Sequence, residues 1–191
     1  MIVVFGGAFN PPTRAHYEIA KHVITTCDVD EFLFVPVGDQ YAKAGLISAR
    51  HRIAMLNLLC DSLEKASVVD IETKAHQVMK TYETLTVLKT QYPQQEIAFI
   101  MGADNLIDLA DWYQYERLIL HFKVMILNRD DANIHDIISS KFAEWRDRFL
   151  VIDEAPHLSI SSSAYRASCK AEQDVLPEVS TYIKNNHLYG R

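Results

Sequence analysis

Short runs of apolar residues alternate along this chain with longer segments in which apolar positions recur every three or four residues. The short runs are typical of strands that are buried on both faces, and the periodic segments are typical of amphipathic helices. The pattern predicts strands at residues 2–5, 31–37, 68–71, 96–101, 122–127 and 149–152. It predicts helices at residues 13–26, 48–63, 80–91, 112–121 and 134–146, followed by two closing helices at 161–171 and 175–186.

This regular alternation predicts a doubly wound α/β fold, a Rossmann-like parallel sheet with helices on both faces. We expect one domain over residues 1–191, with a C-terminal helical part from about residue 160. In such sheets ligands bind beyond the carboxyl ends of the strands, near the point where the strand order reverses. Candidate residues that directly follow predicted strands are therefore expected to converge on one cleft.

The composition narrows the class of protein. The chain has 191 residues, of which 49% are hydrophobic and 23% charged, as in an ordered globular protein with a substantial core. Its net charge of -6 argues against a nucleic-acid partner. The sequence shows neither a signal-peptide pattern nor an apolar run of membrane-spanning length, which predicts a cytoplasmic protein without a membrane partner. Cys27, Cys60 and Cys169 lack metal-site spacing and are predicted to be reduced thiols.

The loop after the first predicted strand carries the clearest candidate chemistry. It begins at Gly6 and Gly7, which let backbone N–H groups approach a ligand closely. Thr13 stands at the N-cap position of the next helix, where unpaired N–H groups and the helix dipole attract phosphate. His16, three residues later, is expected on the same face, so that the hydroxyl and the imidazole point together at an anion site. A tight turn followed by a surface histidine is the alternative.

A second phosphate-binding pattern follows the last predicted strand. Ser161 and Ser162, after Ile160, stand at the start of a predicted helix, and Arg166 lies in its second turn. Hydroxyls, helix N–H groups and a fixed positive charge suit a phosphate ligand. An ordinary serine-capped helix with a solvated arginine is the alternative.

A third candidate region begins where the strand at 96–101 ends. Gly102 allows the backbone to come close to another group, and Asp104 can accept hydrogen bonds from sugar hydroxyls. Trp112 offers a flat face for stacking on a heteroaromatic ring. A helix-capping aspartate and a core tryptophan are the alternatives.

Other polar positions carry little signal by themselves. The helix start at residues 81–85 reads as an ordinary capped helix, and Lys43 reads as a solvated loop residue. Asp70 and Glu72 flank a predicted strand end, but their spacing does not indicate a catalytic pair. The remaining histidines, such as His22, have no metal-like spacing.

In sequence order these segments resemble the bacterial nicotinate-nucleotide adenylyltransferases of the nucleotidyltransferase superfamily. Residues 6–16 resemble the superfamily signature Gly-Gly-x-Phe-Asp/Asn-Pro followed by His/Thr-x-x-His, and residues 160–166 resemble Ile-Ser-Ser-Thr-x-Ile-Arg. Residues 81–85 are similar to the Thr-Tyr-x-Thr-Leu string of this family, and residues 102–112 to its Gly-x-Asp and Trp pattern. The chain departs from these patterns at Ala8, Asn10, Thr13, Ala15, Ser163 and Tyr165.

The resemblance implies adenylyl transfer from ATP to nicotinate mononucleotide in NAD biosynthesis, with Mg²⁺ accompanying ATP. It implies catalytic roles for His16, Arg166 and Thr13. It implies that ATP is bound by Gly6, Gly7, Ala8, Phe9, His16, Gly102, Asp104, Ile160, Ser161, Ser162 and Arg166. It implies that the mononucleotide is bound by Asn10, Lys43, Thr81, Tyr82, Thr84, Leu85 and Trp112, with a weaker case for Arg52.

Two other interpretations stay open at this point. One is transfer to another phosphate acceptor, such as nicotinamide mononucleotide or phosphopantetheine. The other is a nucleotide-binding regulator that has lost turnover, for which the departures at Thr13 and Ala15 are the support. The sequence also leaves the oligomeric state open, a homo-oligomer included.

Overall fold

Six parallel strands form one sheet in the computed structural model, which describes residues 1–128, 134–153, 156, 159–168 and 172–191. In chain order they are β1 Ile2–Gly7, β2 Glu31–Pro36, β3 Ala66–Val68, β4 Ile97–Gly102, β5 Lys123–Leu127 and β6 Phe149–Ile152. Their order across the sheet is β3-β2-β1-β4-β5-β6. The order reverses beside β1, which confirms the predicted doubly wound α/β fold.

Helices connect the strands and cover the sheet. They are α1 Arg14–Thr26, α2 Ala49–Cys60, α3 Ile71–Lys74, α4 Thr81–Gln91, α5 Ala103–Ile107, α6 Tyr115–His121, α7 Ile134–Lys141, α8 Ser162–Ala167 and α9 Pro177–Asn185. Short 3₁₀ helices lie at Leu109–Asp111, Ala143–Arg148, Glu172–Asp174 and Leu188–Gly190. None of the helices in this described part of the chain is both long and apolar enough to cross a bilayer.

The sheet is buried on both faces by two apolar layers. One layer packs α1, α2 and α9 against side chains such as Val3 and Phe34, and the other packs α4, α6 and α7 against side chains such as Val4 and Phe99. Neighbouring residues of a strand point to opposite faces of the sheet, and each face is covered by an apolar layer. Residues that point to either face must therefore be apolar. This explains why the strands read as continuous apolar runs in the sequence.

A crevice opens between β1 and β4 because the two strands stay paired only part of the way. Their pairing runs from Ile2 with Ile97 to Val4 with Phe99, whereas β1 stays paired with β2 as far as Gly7 with Pro36. The carboxyl ends of β1 and β4 therefore separate at the reversal point of the sheet, the usual ligand position in this architecture.

Most predicted elements differ from the observed ones in their bounds, and α3 and α5 were not predicted. Four of the differences have a clear local cause or limit. The third strand was expected at 68–71, but the chain leaves the sheet after the Val69 N–H donates to the Phe34 carbonyl, and Asp70 becomes the N-cap of α3. The helix expected at 112–121 begins only at Tyr115, after an extended Trp112. The helix expected at 134–146 ends at Lys141, where the backbone of Phe142 leaves helical geometry. The helix expected at 161–171 ends at Ala167, and residues 169–171 lie outside the described residues.

The cysteines that the structure describes behave as structural thiols. Cys27 and Cys60 are free, and burial raises the pKa of the Cys60 thiol to about 12. A thiol with that pKa is protonated and unreactive at neutral pH. Cys169 lies outside the described residues.

Candidate functional site

Two cavities lie at the carboxyl end of the sheet, and the segment at residues 6–16 contributes lining residues to both. The larger has a volume of about 780 Å³ and is lined by Gly6 and Gly7, the start of α4 and Trp112. The smaller has a volume of about 250 Å³ and is lined by His16, Lys43 and residues 160–163. The candidate segments therefore do not share the single cleft that was predicted. Gly6, Gly7, the start of α4 and Trp112 line one cavity, and His16, Lys43 and residues 160–163 line the other.

Gly6 and Gly7 were predicted in a loop, but they are the last two residues of β1, and both lie close to aromatic rings. A Cβ added at Gly6 would stand 3.3 Å from the Phe99 ring, and one added at Gly7 would stand 3.1 Å from the Phe9 ring. Phe9 itself has a φ of 45°, which is unusual for a bulky residue, and its side chain is buried. Its ring lies against His16, with ring centroids 5.1 Å apart. The side chain of Phe9 is thus part of the core, and Phe9 lines neither cavity.

Thr13 orients His16 from behind. The backbone N–H of Thr13 donates to Nδ1 of His16 at 2.9 Å, and the Thr13 hydroxyl lies 2.8 Å from the same nitrogen. A backbone N–H can only donate, so Nδ1 is an acceptor and the neutral imidazole carries its hydrogen on Nε2. The arrangement is a capping box at the start of α1, with a histidine at the third position.

The sequence had suggested that Thr13 and His16 share an anion site, but the structure does not place Thr13 there. Its side chain is fully buried, while His16 lines the smaller cavity. The correction changes the role of Thr13 from a group that contacts ligand to a group that fixes the tautomer and orientation of the imidazole. His16 is left as the residue of this pair that can donate to an oxyanion.

The second pattern forms the opposite wall of the smaller cavity. Ile160, Ser161 and Ser162 line it, and the Ser161 hydroxyl caps α8 by accepting from the Ala164 N–H at 3.0 Å. Arg166 lies beside this wall rather than in it. Its guanidinium donates to the Asn10 carbonyl at 2.7 Å, to the Ser162 carbonyl at 3.1 Å and to the Ser163 hydroxyl at 3.4 Å. All of these acceptors are neutral, so these bonds leave the charge of Arg166 uncompensated at the cavity edge.

Asn10 supports the loop at residues 38–47 and does not face a ligand. Its side chain is fully buried; Nδ2 donates to the Gly45 carbonyl at 2.8 Å, and Oδ1 accepts from the Ile47 N–H at 3.4 Å and the Tyr189 hydroxyl at 2.8 Å. The resemblance implied that Asn10 binds the mononucleotide, and the structure leaves the Asn10 side chain no exposed surface for that contact. Because the same loop carries Lys43 to the smaller cavity, Asn10 acts on the site through that loop.

Arg52 is a buried cation that contacts both the loop at residues 38–47 and Ala8, the residue after β1. Its guanidinium donates to the carbonyls of Ile47 and Ala8 and forms an ion pair with Asp39 at 2.9 Å. The side chain of Arg52 has no exposed surface, which leaves it no face for a substrate phosphate. The structure thus corrects the sequence-based suggestion that Arg52 binds substrate.

We expect Arg52→Ala to lower the free energy of unfolding by ~2–4 kcal/mol, because it opens a cavity and leaves buried carbonyls without a donor. Urea denaturation measures the change. Arg50→Ala is the matched control, since Arg50 is an exposed residue of the same helix whose loss should change stability by less than ~0.5 kcal/mol. Equal unfolding midpoints for the two variants would show that the Arg52 network contributes nothing.

The start of α4 forms one wall of the larger cavity. Thr81, Thr84 and Leu85 line it, and Trp112 faces it from the extended segment before α6. The Trp112 ring packs on Phe99 with ring centroids 6.1 Å apart. Tyr82 is the exception. Its ring lies against His121 and under the Arg117 guanidinium, outside the lining of the cavity, and its expected contact with substrate stays a prediction.

Glu72 is a cavity residue whose role the sequence did not reveal. It lines the larger cavity and accepts a hydrogen bond of 2.7 Å from the Thr84 hydroxyl. Burial raises the pKa of the Glu72 carboxyl, and the bond from Thr84 opposes this shift. Lys80, Asn105 and Asp111 also line this cavity and were not predicted. The available signal for Glu72 was its position just after the carboxyl end of a strand.

Asp104 and Gly102 lie at the end of β4, outside the linings of both cavities. Asp104 is exposed, and its carboxylate folds over Gly102 into the space that a Cβ would need. Because this contact is made by the far end of an exposed side chain that can move, it does not by itself require glycine at position 102. The ribose contact expected of Asp104 stays a prediction.

Comparison with known proteins identifies a family and relatives that match nearly the whole chain. Residues 4–168 match the model of the family described as cytidylyltransferase-like. A protein of Carboxydothermus hydrogenoformans named "Probable nicotinate-nucleotide adenylyltransferase" is 30% identical, with 98% of this chain and 97% of the relative covered. A protein of the same name from Acholeplasma laidlawii is 32% identical, with 99% and 97% covered.

A solved structure is similar over the same length. It is the nicotinic acid mononucleotide adenylyltransferase of Plasmodium falciparum complexed with NaAD, with a TM-score of 0.82, 24% identity, and 99% of this chain and 97% of that chain covered. This likeness supports the fold assignment. The matched family model and the two relatives show that the chain belongs to the nicotinate-nucleotide adenylyltransferases, within the cytidylyltransferase-like family.

Proposed function

We propose that this protein transfers the adenylyl group of ATP to nicotinate mononucleotide, giving nicotinate adenine dinucleotide and pyrophosphate in NAD biosynthesis. The observation that carries the proposal is the pair of cavities to which residues 6–16 contribute lining residues. The larger cavity offers an aromatic face and a helix start to the mononucleotide. The smaller one offers His16, Lys43 and serine hydroxyls to the phosphates of ATP.

The reaction needs no covalent intermediate on the protein. An oxygen of the mononucleotide 5′-phosphate attacks the α-phosphorus of ATP and forms a new P–O bond. The bond between the α-phosphorus and the bridging oxygen to the β-phosphorus breaks, and pyrophosphate leaves with the electron pair. Catalysis then consists of positioning and charge stabilisation.

The residues of the smaller cavity divide that work. His16, held by Thr13 with its hydrogen on Nε2, donates to the α-phosphate as negative charge builds there. Lys43 and the Ser161 hydroxyl bind the phosphate oxygens, and the positive charge of Arg166 favours the departing pyrophosphate. The Ser162 hydroxyl donates to the Pro11 carbonyl at 2.8 Å, so Ser162 contributes its backbone N–H instead. The ribose contact of Asp104 belongs to the same proposal.

Mg²⁺ fits this site as an ion carried by ATP. The described residues of the smaller cavity supply hydroxyl oxygens and a lysine but no carboxylate, and such a set does not hold the ion by itself. When bound to the phosphates and water, Mg²⁺ neutralises phosphate charge. The oxygens of Ser161 and Ser162 would help to hold the ATP-bound ion at this cavity.

Acceptor choice follows from the larger cavity. The N–H groups at the start of α4 favour the carboxylate of nicotinate over a neutral amide. We expect kcat/KM to be at least about tenfold higher with nicotinate mononucleotide than with nicotinamide mononucleotide, the effect of one charge-assisted contact of ~1.5 kcal/mol. Initial rates with each mononucleotide at saturating ATP measure the ratio.

One observation favours nicotinamide mononucleotide as a second candidate. The Glu72 carboxylate in this cavity accepts from Thr84 and could also accept from a carboxamide N–H. Equal or reversed catalytic efficiencies would therefore overturn the nicotinate assignment and leave adenylyl transfer standing.

We further propose that the whole chain forms one domain, which the packing of α9 on α2 supports. We also propose that this domain is cytoplasmic.

A further inference from the structure

Residues 187–191 reach back from the end of α9 to the two segments that build the phosphate site. The hydroxyl of Tyr189 donates to Oδ1 of Asn10 at 2.8 Å. Burial raises the pKa of Tyr189 above its ordinary range, so the phenol keeps its hydrogen. This bond connects the C-terminal residues to the loop that precedes His16.

Asn10 passes this connection on to both sides of the smaller cavity. Its side chain holds the loop that carries Lys43, through the Gly45 carbonyl and the Ile47 N–H. Its own carbonyl accepts from Arg166 at 2.7 Å. A rotation of the Asn10 side chain would therefore release the Lys43 loop, and an accompanying shift of the Asn10 backbone would move the carbonyl that holds Arg166.

Arg191 contacts the other segment of the phosphate site, which is helix α8. Its guanidinium lies over the Tyr165 ring, with 4.2 Å from Cζ to the ring centroid, and it donates to the carbonyls of Tyr165 and Ser168. Those carbonyls lie at the C-terminal end of α8, the helix that carries Arg166. A cation at this end also favours the helix dipole.

The backbone of this stretch adopts an unfavourable conformation to make these contacts. The φ angles of His187, Tyr189 and Gly190 are 50°, 58° and 74°, in the left-handed region that non-glycine residues rarely occupy. Such a conformation persists only where the surrounding contacts hold it, and it is frequent at functional sites. The contacts of Tyr189 and Arg191 help to hold it here, together with backbone bonds from the His187 N–H to the Lys184 carbonyl and from the Arg191 N–H to the Leu188 carbonyl.

We propose that Tyr189 and Arg191 are positioning residues for phosphoryl transfer, which hold Asn10 and α8 so that Lys43 and Arg166 face the phosphates. The proposal rests on the proposed adenylyl transfer. It assigns a role in turnover to residues that line neither cavity. It predicts a loss in kcat from a change that removes one hydroxyl group.

The test compares Tyr189→Phe with Tyr182→Phe in the full chain. Tyr182 is a matched control on α9, since its hydroxyl also makes one partly buried hydrogen bond, 3.0 Å from Nδ1 of His51. Neither Tyr182 nor His51 lines a cavity. We expect Tyr189→Phe to lower kcat about 3- to 10-fold, the effect of one lost hydrogen bond, with a smaller change in the KM for ATP. Tyr182→Phe should keep the wild-type kcat, and the melting temperatures of the two variants should agree.

A double-mutant cycle shows whether the effect passes through Asn10. In an Asn10→Ala background, Tyr189→Phe should change kcat by less than about twofold, because its acceptor is gone. Equal kcat values for Tyr189→Phe and Tyr182→Phe would overturn the proposal, as would a full effect of Tyr189→Phe in the Asn10→Ala background.

Hydrogen–deuterium exchange keeps the inference separate from the proposed function. Tyr189→Phe should speed exchange at residues 10–16 relative to Tyr182→Phe, whatever reaction the protein catalyses. A wild-type protein without adenylyl transfer would refute the proposed function alone, whereas unchanged exchange at residues 10–16 would refute the positioning role.

Discussion

His16→Ala is expected to lower kcat by ~10²–10³-fold, the usual cost of losing one donor to a developing oxyanion. The expectation follows from the position of His16 in the first turn of α1, with Nδ1 engaged by Thr13 and the imidazole in the wall of the smaller cavity. A donor whose bond strengthens as charge develops acts on the transition state and hardly on ground-state binding. ATP affinity should therefore change far less than kcat.

Steady-state kinetics and calorimetric titration with ATP measure the two effects separately. His22→Ala is the matched control, because His22 lies on the same helix but lines neither cavity. It should turn over at the wild-type rate. A folded His16→Ala protein with near wild-type kcat would remove His16 from the reaction.

Arg166→Ala should lower both the affinity for ATP and kcat, each by about tenfold or more, as expected for a charge that acts on phosphates in the ground and transition states. The structure adds a second reason. The guanidinium also holds the Asn10 carbonyl and the Ser163 hydroxyl, so its loss loosens the cavity wall as well as removing a charge. The KM for ATP and kcat, measured together, report both effects.

Arg146→Ala serves as the control for charge alone, since Arg146 is exposed on the 3₁₀ helix Ala143–Arg148. It should leave both constants unchanged. Unchanged ATP affinity and rate in Arg166→Ala would place Arg166 on a solvated face and reduce residues 161–166 to an ordinary capped helix.

The fold was predictable from the sequence because its signals are local and repeated. Strands buried on both faces read as apolar runs, and β6 was predicted with its observed bounds. The errors arose where a tertiary contact decides the backbone. At residues 68–71 the β-branched residues suggested a longer strand, but Asp70 begins α3. At Phe142 the helix ends although the apolar pattern continues.

The site was predictable at the level of segments and less so at the level of side chains. Motif spacing located the loop at 6–16 and the serines of 160–163, since both follow strands that end at the same edge of the sheet. It could not show that Thr13 and Asn10 are buried beneath the site, because their roles depend on residues 35 or more positions away or on the tautomer of His16. Glu72 was missed for the same reason, since its partner Thr84 lies on a different helix.

The measurement that tests the central claim most directly is a reaction of the purified protein with ATP, Mg²⁺ and nicotinate mononucleotide. Pyrophosphate release and dinucleotide formation are followed in the same sample. The account predicts that both products appear in equal amounts and only when the mononucleotide is present. Binding of ATP without release of pyrophosphate would contradict the account and identify a nucleotide-binding regulator. Release of pyrophosphate only with phosphopantetheine would contradict it by identifying another acceptor.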